Sequence, residues 1–362
     1  MGQKGDIMLF TDVFSAEAVA YRETVDASNN IAFAGAAFFP NKKKTGIDLK
    51  WIKSHKGLGI ALKPSSYDSL ATIRPRQGFN VTLEEMPLFR ESMVIKEQDL
   101  AQIMRAADSN DPYLNEVLER IYDDVGNLID GANISAERMR MQLLAPIDGV
   151  MKIDIGKADN TIYSYQYDSD NTWKAKHFAE LTGSDTWNNP ETAKPLNDVQ
   201  KGVDYLSGIG VVPTYIMMNT TTFNYLLDMK QIKNAFVTRA GVNVDFLSKA
   251  AAKDVFATQT GLQPILYDKM YTDYDGKEKK FYPDGYATII GAGQLGNTWY
   301  GVTPEERTLL GDSNVDVSIV DTGVAVAVKT DYGPPVQYST TASQIVLPSF
   351  EGMDSTYVLK VK

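Results

Sequence analysis

Cysteine is absent from all 362 residues of the chain. A disulfide framework, a thiolate metal site and a cysteine nucleophile are therefore all excluded, and we expect folding in a reducing cytoplasm. Histidine is nearly as scarce, with only His55 and His177. Neither neighbours a serine elbow or an obvious carboxylate partner, and the sequence contains no G-x-x-x-x-G-K-S/T loop. We therefore expect no catalytic residues, no metal and no cofactor.

Long hydrophobic runs are also missing. The longest, Ile31 to Phe39, has nine residues, about half of what a membrane-spanning helix needs. At the N-terminus, Met1 to Phe10 places a lysine and an aspartate ahead of any apolar stretch, unlike the order in a secretory signal. We therefore expect a soluble protein with no membrane partner.

The chain also lacks an excess of basic charge, because it has 36 basic and 46 acidic residues and a net charge of −10. This balance argues against a surface devoted mainly to nucleic acid, so any DNA that the protein meets should be contacted without sequence-specific binding. With 43% hydrophobic residues, the chain is long enough to bury a substantial core, divided between about two subdomains.

The charges are distributed unevenly along the chain. Residues 41–56 contain six lysines and one aspartate, whereas residues 91–130 contain ten acidic and three basic residues. Complementary charge on one chain favours self-association, because staggered copies attract one another. The alternative is a nucleic-acid arm with Trp51 and His55 for base stacking. Our candidate assembly contacts are Lys42, Lys43, Lys44, Lys50, Lys53 and Lys56 on one copy, and Glu116, Glu119, Asp123 and Asp124 on the next.

Apolar periodicity predicts the main elements. Ile31 to Phe39 is apolar enough for a buried strand, and alternation in Gly46 to Leu83 predicts a long two-stranded excursion. Asp111-Pro112 supplies a helix cap and a first-turn proline, and a period near 3.6 residues continues to Pro146. This helix of roughly 50 Å, at about 1.5 Å per residue, suggests an elongated subunit. A hairpin is predicted from Gln263 to Ile290, with Asp275-Gly276 as its turn.

Two short motifs imitate ligand sites. Gly291 to Gly296 (GAGQLG) matches a dinucleotide-binding fingerprint, but the residues that follow, NTWYGVT, are β-prone and not helical. We therefore predict a glycine-rich turn. Asp273, Asp275 and Gly276 imitate the middle of a calcium loop, but tyrosines occupy the first and twelfth ligand positions, which favours a hairpin turn.

Several stretches, taken in order, resemble the lambda-type major capsid proteins, often called phage capsid protein E. Their specificity lies in this order and not in any single residue. The similar stretches are Leu9 to Glu23 (the N-terminal arm), Gly57 to Ala61 with Ser66-Tyr67 (the extended loop), Phe79 to Ile95 (its return), Leu114 to Leu144 (the spine helix), and Leu347 to Ser349 with Asp354 to Val361 (the ending strands).

This resemblance implies an α+β fold of the Hong Kong 97 type with an N-terminal arm, an extended β-hairpin loop, a peripheral domain with a long spine helix, and an axial domain. The implied ranges are 1–40 for the arm and first core strand, 41–90 for the loop, 91–174 for the peripheral domain with its spine helix at 111–146, 175–310 for the axial domain, and 311–362 for strands returning to the peripheral domain.

The resemblance also implies a function, that of the major capsid protein of a tailed bacteriophage. Its copies would form pentamers and hexamers of an icosahedral head around double-stranded DNA, assembled in the bacterial host cytoplasm. A separate scaffolding protein, a portal and a decoration protein are the implied partners. An encapsulin-like compartment shell and a soluble nucleotide-binding α/β enzyme are the alternatives.

Overall fold

A computed structural model describes residues 33–46, 48–52, 81–95, 113–156, 162–240, 246–273, 275–308, 315–320, 323–331 and 337–362. Helices and strands mix in an α+β fold. The helices are α1 (Ala34–Phe38), α2 (Tyr113–Leu144), α3 (Thr172–His177), α4 (Pro195–Gly208), α5 (Thr220–Asp228), α6 (Lys230–Ala240), α7 (Lys249–Thr260) and α8 (Pro304–Thr308).

Most of the strands belong to two larger sheets. They are β1 (Asn41–Lys43), β2 (Asp48–Ile52), β3 (Val81–Glu85), β4 (Leu88–Ile95), β5 (Lys152–Gly156), β6 (Ile162–Gln166), β7 (Phe178–Glu180), β8 (Pro213–Met218), β9 (Gln263–Leu266), β10 (Met270–Thr272), β11 (Glu278–Lys280), β12 (Tyr286–Gly291), β13 (Asn297–Tyr300), β14 (Val315–Val320), β15 (Val324–Asp331), β16 (Gln337–Ser349) and β17 (Thr356–Lys360).

The predicted long helix is present as α2, with 32 residues. It ends two residues before Pro146, whose ring cannot continue a helix. One face of α2 packs on the six-stranded sheet, where Leu128 and Ile129 contact Val326 and Ala342. This packing of an apolar stripe holds the helix against the sheet.

The six-stranded sheet runs in the order β1-β13-β16-β15-β14, and β4 also pairs with β16. Residues 338–343 of β16 pair with both β15 and β4, so these two strands lie on opposite edges of β16. Residues 346–349 of β16 pair with β13. The long strand β16 therefore carries most of this sheet.

The five-stranded sheet runs in the order β7-β17-β12-β8-β9 and is buried on both faces. Alternate residues of β12 enter different cores, as side chains of a strand point to opposite faces. Ala287 and Ile289 join a core with helices α4 to α7. Ile290 instead joins a core that contains Leu143 and Leu144 from the end of α2. The sheet thus separates helices α4 to α7 from the C-terminal end of the spine helix α2.

The prediction of a buried strand at Ile31 to Phe39 was wrong, because residues 34–38 form the helix α1. A short apolar run does not by its periodicity distinguish a strand from a buried helix. The three alanines among these five residues favour a helix.

The predicted long hairpin at 263–290 is only partly present. Met270–Thr272 pairs with Glu278–Lys280 around the expected turn. The flanking strands β9 and β12 do not pair with each other, because β8 lies between them in the five-stranded sheet.

Two strands pair with partners that are distant in sequence. β17, expected to return with 311–362 to the peripheral strands, pairs with β12 and β7. β13, expected within the axial range 175–310, pairs with β16 in the six-stranded sheet. Partners of a strand are chosen by packing across long sequence separations, which a local apolar pattern does not encode.

The close contact between Gly296 and β16 gives a test of how tightly this part of the fold is packed. A Cβ at Gly296 would lie 1.8 Å from the carbonyl oxygen of Ser349, a backbone atom of β16. We expect Gly296→Ala to lower the free energy of unfolding by about 1–3 kcal/mol or more, as over-packing does. Gly131→Ala is the matched control, because nothing lies within 4 Å of its Cβ in α2 and helix propensity predicts a gain of roughly 0.5–1 kcal/mol. Urea unfolding of both variants measures the difference, and equal stability would contradict the packing.

Candidate assembly interface

The root of the predicted extended loop is a two-stranded antiparallel ladder. β2 and β3 pair over five positions, from Asp48 opposite Glu85 to Ile52 opposite Val81. After this ladder the chain passes through the buried bend Met86-Pro87 into β4. The ladder is therefore attached directly to the edge of the six-stranded sheet, and residues 53–80 lie outside the described residues.

The short helix α8 lies against this root and begins with a complete capping box. The Thr303 N–H donates to Glu306 Oε2 at 3.1 Å, and the Glu306 N–H faces Thr303 Oγ1 at 3.4 Å. Pro304 occupies the first helical position, where its missing N–H is not needed. The sequence T-P-E-E is a local signal for this helix, although sequence reasoning did not use it.

Two neighbouring carboxylates of α8 hold the chain on both sides of the loop. Glu306 forms an ion pair with Lys43, at the end of β1 before the loop. Glu305 forms one with Arg90, in β4 after the loop, at 2.6 Å. Both carboxylates are buried, so each needs its cation to offset the cost of leaving water. One helical turn thus fixes both the entry and the exit of the extended loop.

A buried carboxylate of the spine helix holds the segment that precedes the loop. Glu137 is fully buried, and its Oε1 accepts the N–H of Gly35 at 2.8 Å and the hydroxyl of Tyr267 at 3.0 Å. Its Oε2 lies 3.2 Å from Arg140 Nη1. Burial, followed by the charge of Glu137, raises the pKa of Tyr267 well above its usual range, so this phenol stays protonated as a donor.

Arg140 extends the same network to two strands. Its Nε donates to Thr298 Oγ1 at 2.8 Å, and its Nη2 donates to Asn41 Oδ1 at 2.6 Å. Thr298 Oγ1 in turn donates to the carbonyl of Phe39. Three guanidinium nitrogens therefore have partners, as a buried arginine requires. Glu137 and Arg140 were not singled out from sequence, because an i,i+3 pair in a helix usually lies on its surface.

The six predicted lysines are not equivalent. Lys42 lies 5.6 Å from the ring centroid of Trp299. Lys43 is committed to Glu306 within its own chain, and Lys44 Nζ donates to the carbonyl of Asp48 at 2.6 Å. Lys50 lies in the ladder strand β2. Lys53 and Lys56 lie outside the described residues.

The predicted acidic contacts fall on one element. Glu116, Glu119, Asp123 and Asp124 all lie in the first half of α2. Their pairing with lysines of another copy is not tested by a single chain and stays a prediction.

A groove of about 540 Å³ lies at the root of the loop, beside the bend after β3. Glu84 and Glu85 contribute carboxylates, while Leu88 and Tyr163 contribute apolar surface that is 41% and 39% exposed. Burial raises the pKa of Tyr165 to about 12, with the neighbouring Tyr163 and the two carboxylates acting in the same direction. The Tyr165 hydroxyl donates to the carbonyl of Glu85 at 3.0 Å.

The glycine-rich stretch Gly291 to Gly296 is a packing turn, as predicted. It is followed by the strand β13 and not by a helix, so no helix N-terminus faces a pyrophosphate. A Cβ at Gly291 would lie 2.5 Å from a methyl group of Val211. Close packing explains Gly291 and Gly296, and a positive φ of 95° explains Gly293. This geometry does not favour the nucleotide-binding enzyme.

The imitation calcium loop is a hairpin turn, as predicted. Asp273 is buried and is paired with Arg138 at 3.1 Å and Lys279 at 2.5 Å. Asp275 caps the turn by accepting the N–H of Lys277 at 3.1 Å. Asp275 also forms ion pairs with Lys277 and Lys279, so side chains of the same chain neutralise both carboxylates.

Of the two histidines, His177 is buried in the five-stranded part of the fold. Its Nδ1 lies 2.8 Å from the Thr356 carbonyl, and its ring stacks on Trp173 at 5.7 Å. His55 lies outside the described residues.

Among the residues that the structure describes, no cluster of three or more His, Asp or Glu side chains could hold a metal ion. Within that same part of the chain, no helix is long and apolar enough to cross a membrane.

Comparison with solved structures identifies the fold. The chain is 16% identical to a prophage protein of Escherichia coli CFT073 assigned as a capsid protein, with a TM-score of 0.60 and coverage of 96% of this chain and 99% of that one. It is 12% identical to a phage-related protein of Bordetella bronchiseptica RB50, with a TM-score of 0.50 and coverage of 94% and 96%. The fold is thus that of a Hong Kong 97-type capsid subunit.

The family follows from the sequence profile of the phage major capsid protein E family, which matches residues 23–331. The chain therefore belongs to the phage major capsid protein E family. No curated protein matches the chain by sequence. The family match supports a structural protein that self-associates in a phage capsid, over an encapsulin-like compartment or a nucleotide-binding enzyme.

The intrachain role of Lys43 leads to a stability prediction. We expect Lys43→Met to lower the free energy of unfolding by about 1–3 kcal/mol, because the buried Glu306 carboxylate loses its cation. Lys42→Met is the matched control, since it removes only an exposed contact with Trp299 worth about 0.5–1 kcal/mol. Chemical denaturation of the unassembled chain distinguishes them. A Lys43 variant as stable as the Lys42 variant would show that the ion pair does not hold the loop entry.

Proposed function

We propose that the chain assembles into pentamers and hexamers that close an icosahedral head around double-stranded DNA. The observation that carries this proposal is the family match over residues 23–331. The long helix α2 and the β2–β3 ladder support it, because both match elements expected of this family. Specific base contacts are not part of the function, since the net charge of −10 opposes tight binding of DNA.

The two sheets suggest how a copy sits in such a shell. The five-stranded sheet with helices α3 to α7 would form the axial part around the symmetry axis of each pentamer or hexamer. The six-stranded sheet with α2 would form the peripheral part. This assignment modifies the expected ranges at β1, β13 and β17.

The partners would be those of phage head assembly. We infer assembly in the bacterial host cytoplasm with a separate scaffolding protein and a portal, and with a decoration protein on the finished shell. Membership of the capsid family supports this inference.

Contacts between copies would be electrostatic in part. In this proposal the lysine-rich segment 42–56 of one copy faces the acidic segment 91–124 of the next, with Lys43 excluded because it serves its own chain. Reversing Lys42, Lys43 and Lys44 together would therefore mix loss of assembly with loss of stability. Reversing Lys50, Lys53 and Lys56 instead leaves the Lys43–Glu306 ion pair intact.

The first experiment is light scattering with negative-stain electron microscopy on the purified chain, expressed with and without its genomic neighbours. Closed particles, or discrete pentamers and hexamers, are expected. A strictly monomeric or dimeric species under every condition would overturn the proposed function.

Charge reversal then tests the loop contact. We expect Lys50→Glu/Lys53→Glu/Lys56→Glu to reduce particle yield strongly while the circular dichroism of the free chain is unchanged, because like charges would then face each other between copies. The control reverses three lysines that lie on exposed positions of α3 and α7, namely Lys176, Lys249 and Lys253. It makes the same change in net charge, so a normal yield from the control alone supports the contact. Normal shells from the loop variant would refute it.

A further inference from the structure

We propose that Glu351 and Asn297 hold a calcium ion where β13 meets the end of β16 in the six-stranded sheet. The site combines one carboxylate with neutral oxygens, so it differs from a cluster of acidic residues. It goes beyond the proposed function and does not depend on assembly, because every group that would bind the ion belongs to a single chain.

Two side-chain oxygens at this junction are buried without a partner. Glu351 Oε2 and Asn297 Oδ1 accept no hydrogen bond from any group in the described part of the chain. The other carboxylate oxygen, Glu351 Oε1, accepts the hydroxyl of Ser349 at 2.7 Å, which is a neutral donor. A buried carboxylate oxygen that has lost water and gained neither a donor nor a cation is costly. An oxygen of this kind indicates a bound ion or water.

Ser349 brings the two oxygens to one place. Asn297 faces Ser349 across the antiparallel pair of β13 and β16, and directly opposite residues of such a pair point to the same side of the sheet. Ser349 is fully buried, and its Oγ accepts the N–H of Asn297 at 3.3 Å. The Glu351 carboxylate and the Asn297 side chain therefore flank the same hydroxyl group.

A glycine leaves the space next to Glu351 Oε2 free of side-chain atoms. A Cβ at Gly296 would lie 3.0 Å from this oxygen, so a larger residue would fill the space that a ligand needs. A dehydrated calcium ion also needs less room than a water molecule. It bonds an oxygen at about 2.3–2.6 Å, whereas a water molecule donates to one at about 2.7–2.8 Å.

Calcium is the cation that these groups fit. It binds carboxylate, amide and backbone carbonyl oxygens in flexible geometries, whereas magnesium requires near-ideal octahedral geometry. The surroundings favour a cation, because burial, followed by the nearby Glu84, Tyr165 and Glu351, raises the pKa of Tyr167 well above its usual range. With one carboxylate, the site belongs to the weak end of calcium affinities, with a Kd of about 10⁻⁴–10⁻³ M.

Terbium luminescence tests the site, because Tb³⁺ replaces Ca²⁺ and is excited through a nearby tryptophan. Trp299 Nε1 lies 3.0 Å from Ser349 Oγ, so its ring is next to the proposed ion. On the unassembled full-length chain we expect saturable, tryptophan-excited emission that Ca²⁺ displaces. Glu351→Gln should weaken the affinity by at least about tenfold, because the one charged ligand is lost. Trp299→Phe should dim the emission and leave the calcium affinity from calorimetry unchanged.

Glu191→Gln is the matched control, since this glutamate is exposed and pairs with Lys230 on the surface. It should bind both ions like the unsubstituted chain. Asn297→Asp distinguishes a cation site from a contact of the Asn297 amide nitrogen with Glu351, because amide orientation is an assignment. A second carboxylate should tighten calcium binding if the Asn297 oxygen faces an ion. If the amide nitrogen donates to Glu351, this variant gains no calcium affinity.

Calcium should also raise the melting temperature of the unsubstituted chain and not that of Glu351→Gln, because a ligand stabilises the form that binds it. If Glu351→Gln does not fold, this shift and the Asn297→Asp titration decide. Emission that does not saturate, equal affinities of Glu351→Gln and Glu191→Gln, or no calcium shift in the unsubstituted chain would overturn the site in favour of water alone. None of these outcomes involves particle formation, so the proposed function would stand.

Discussion

The buried pair of Glu137 and Arg140 on the spine helix is the constraint on which the assembled fold depends. A carboxylate and a guanidinium without water are tolerated only when their polar atoms find partners. Here the partners come from Gly35, Asn41, Tyr267 and Thr298, which are far apart in sequence. The network is complete only when the segment before the loop, the spine helix and both sheets are in place together. It therefore couples the two halves of the subunit.

The extended loop inherits its position from this arrangement. The strand that leads into it begins at Asn41, one of the partners of Arg140, and ends at Lys43, the partner of Glu306. The strand that leaves it is fixed by Arg90 and Glu305. Ion pairs to one short helix thus hold both strands that flank the ladder.

Local signals in the sequence predicted a helix or turn where the sequence pattern arises within that element alone. The 3.6-residue period predicted α2, whose expected cap Asp111-Pro112 lies outside the described residues, and the Asp275-Gly276 turn predicted the short hairpin. They did not predict pairing between strands that are distant in sequence, as with β13 and β17. The assembly contacts expected from the sequence stay a prediction, and the intrachain role of Lys43 was missed because Glu306 lies 263 residues away.

By itself the sequence determined the class of protein: a cysteine-free, acidic chain with a long helix, a hairpin excursion of opposite charge and the order of segments that marks the capsid family. These properties are local or additive along the chain, so they can be read without coordinates. Only the tertiary structure decided which charged side chains form ion pairs within one copy and which surfaces stay available for contact with another copy. Ion pairing and burial depend on side chains that meet across long sequence separations, and those meetings are fixed by packing.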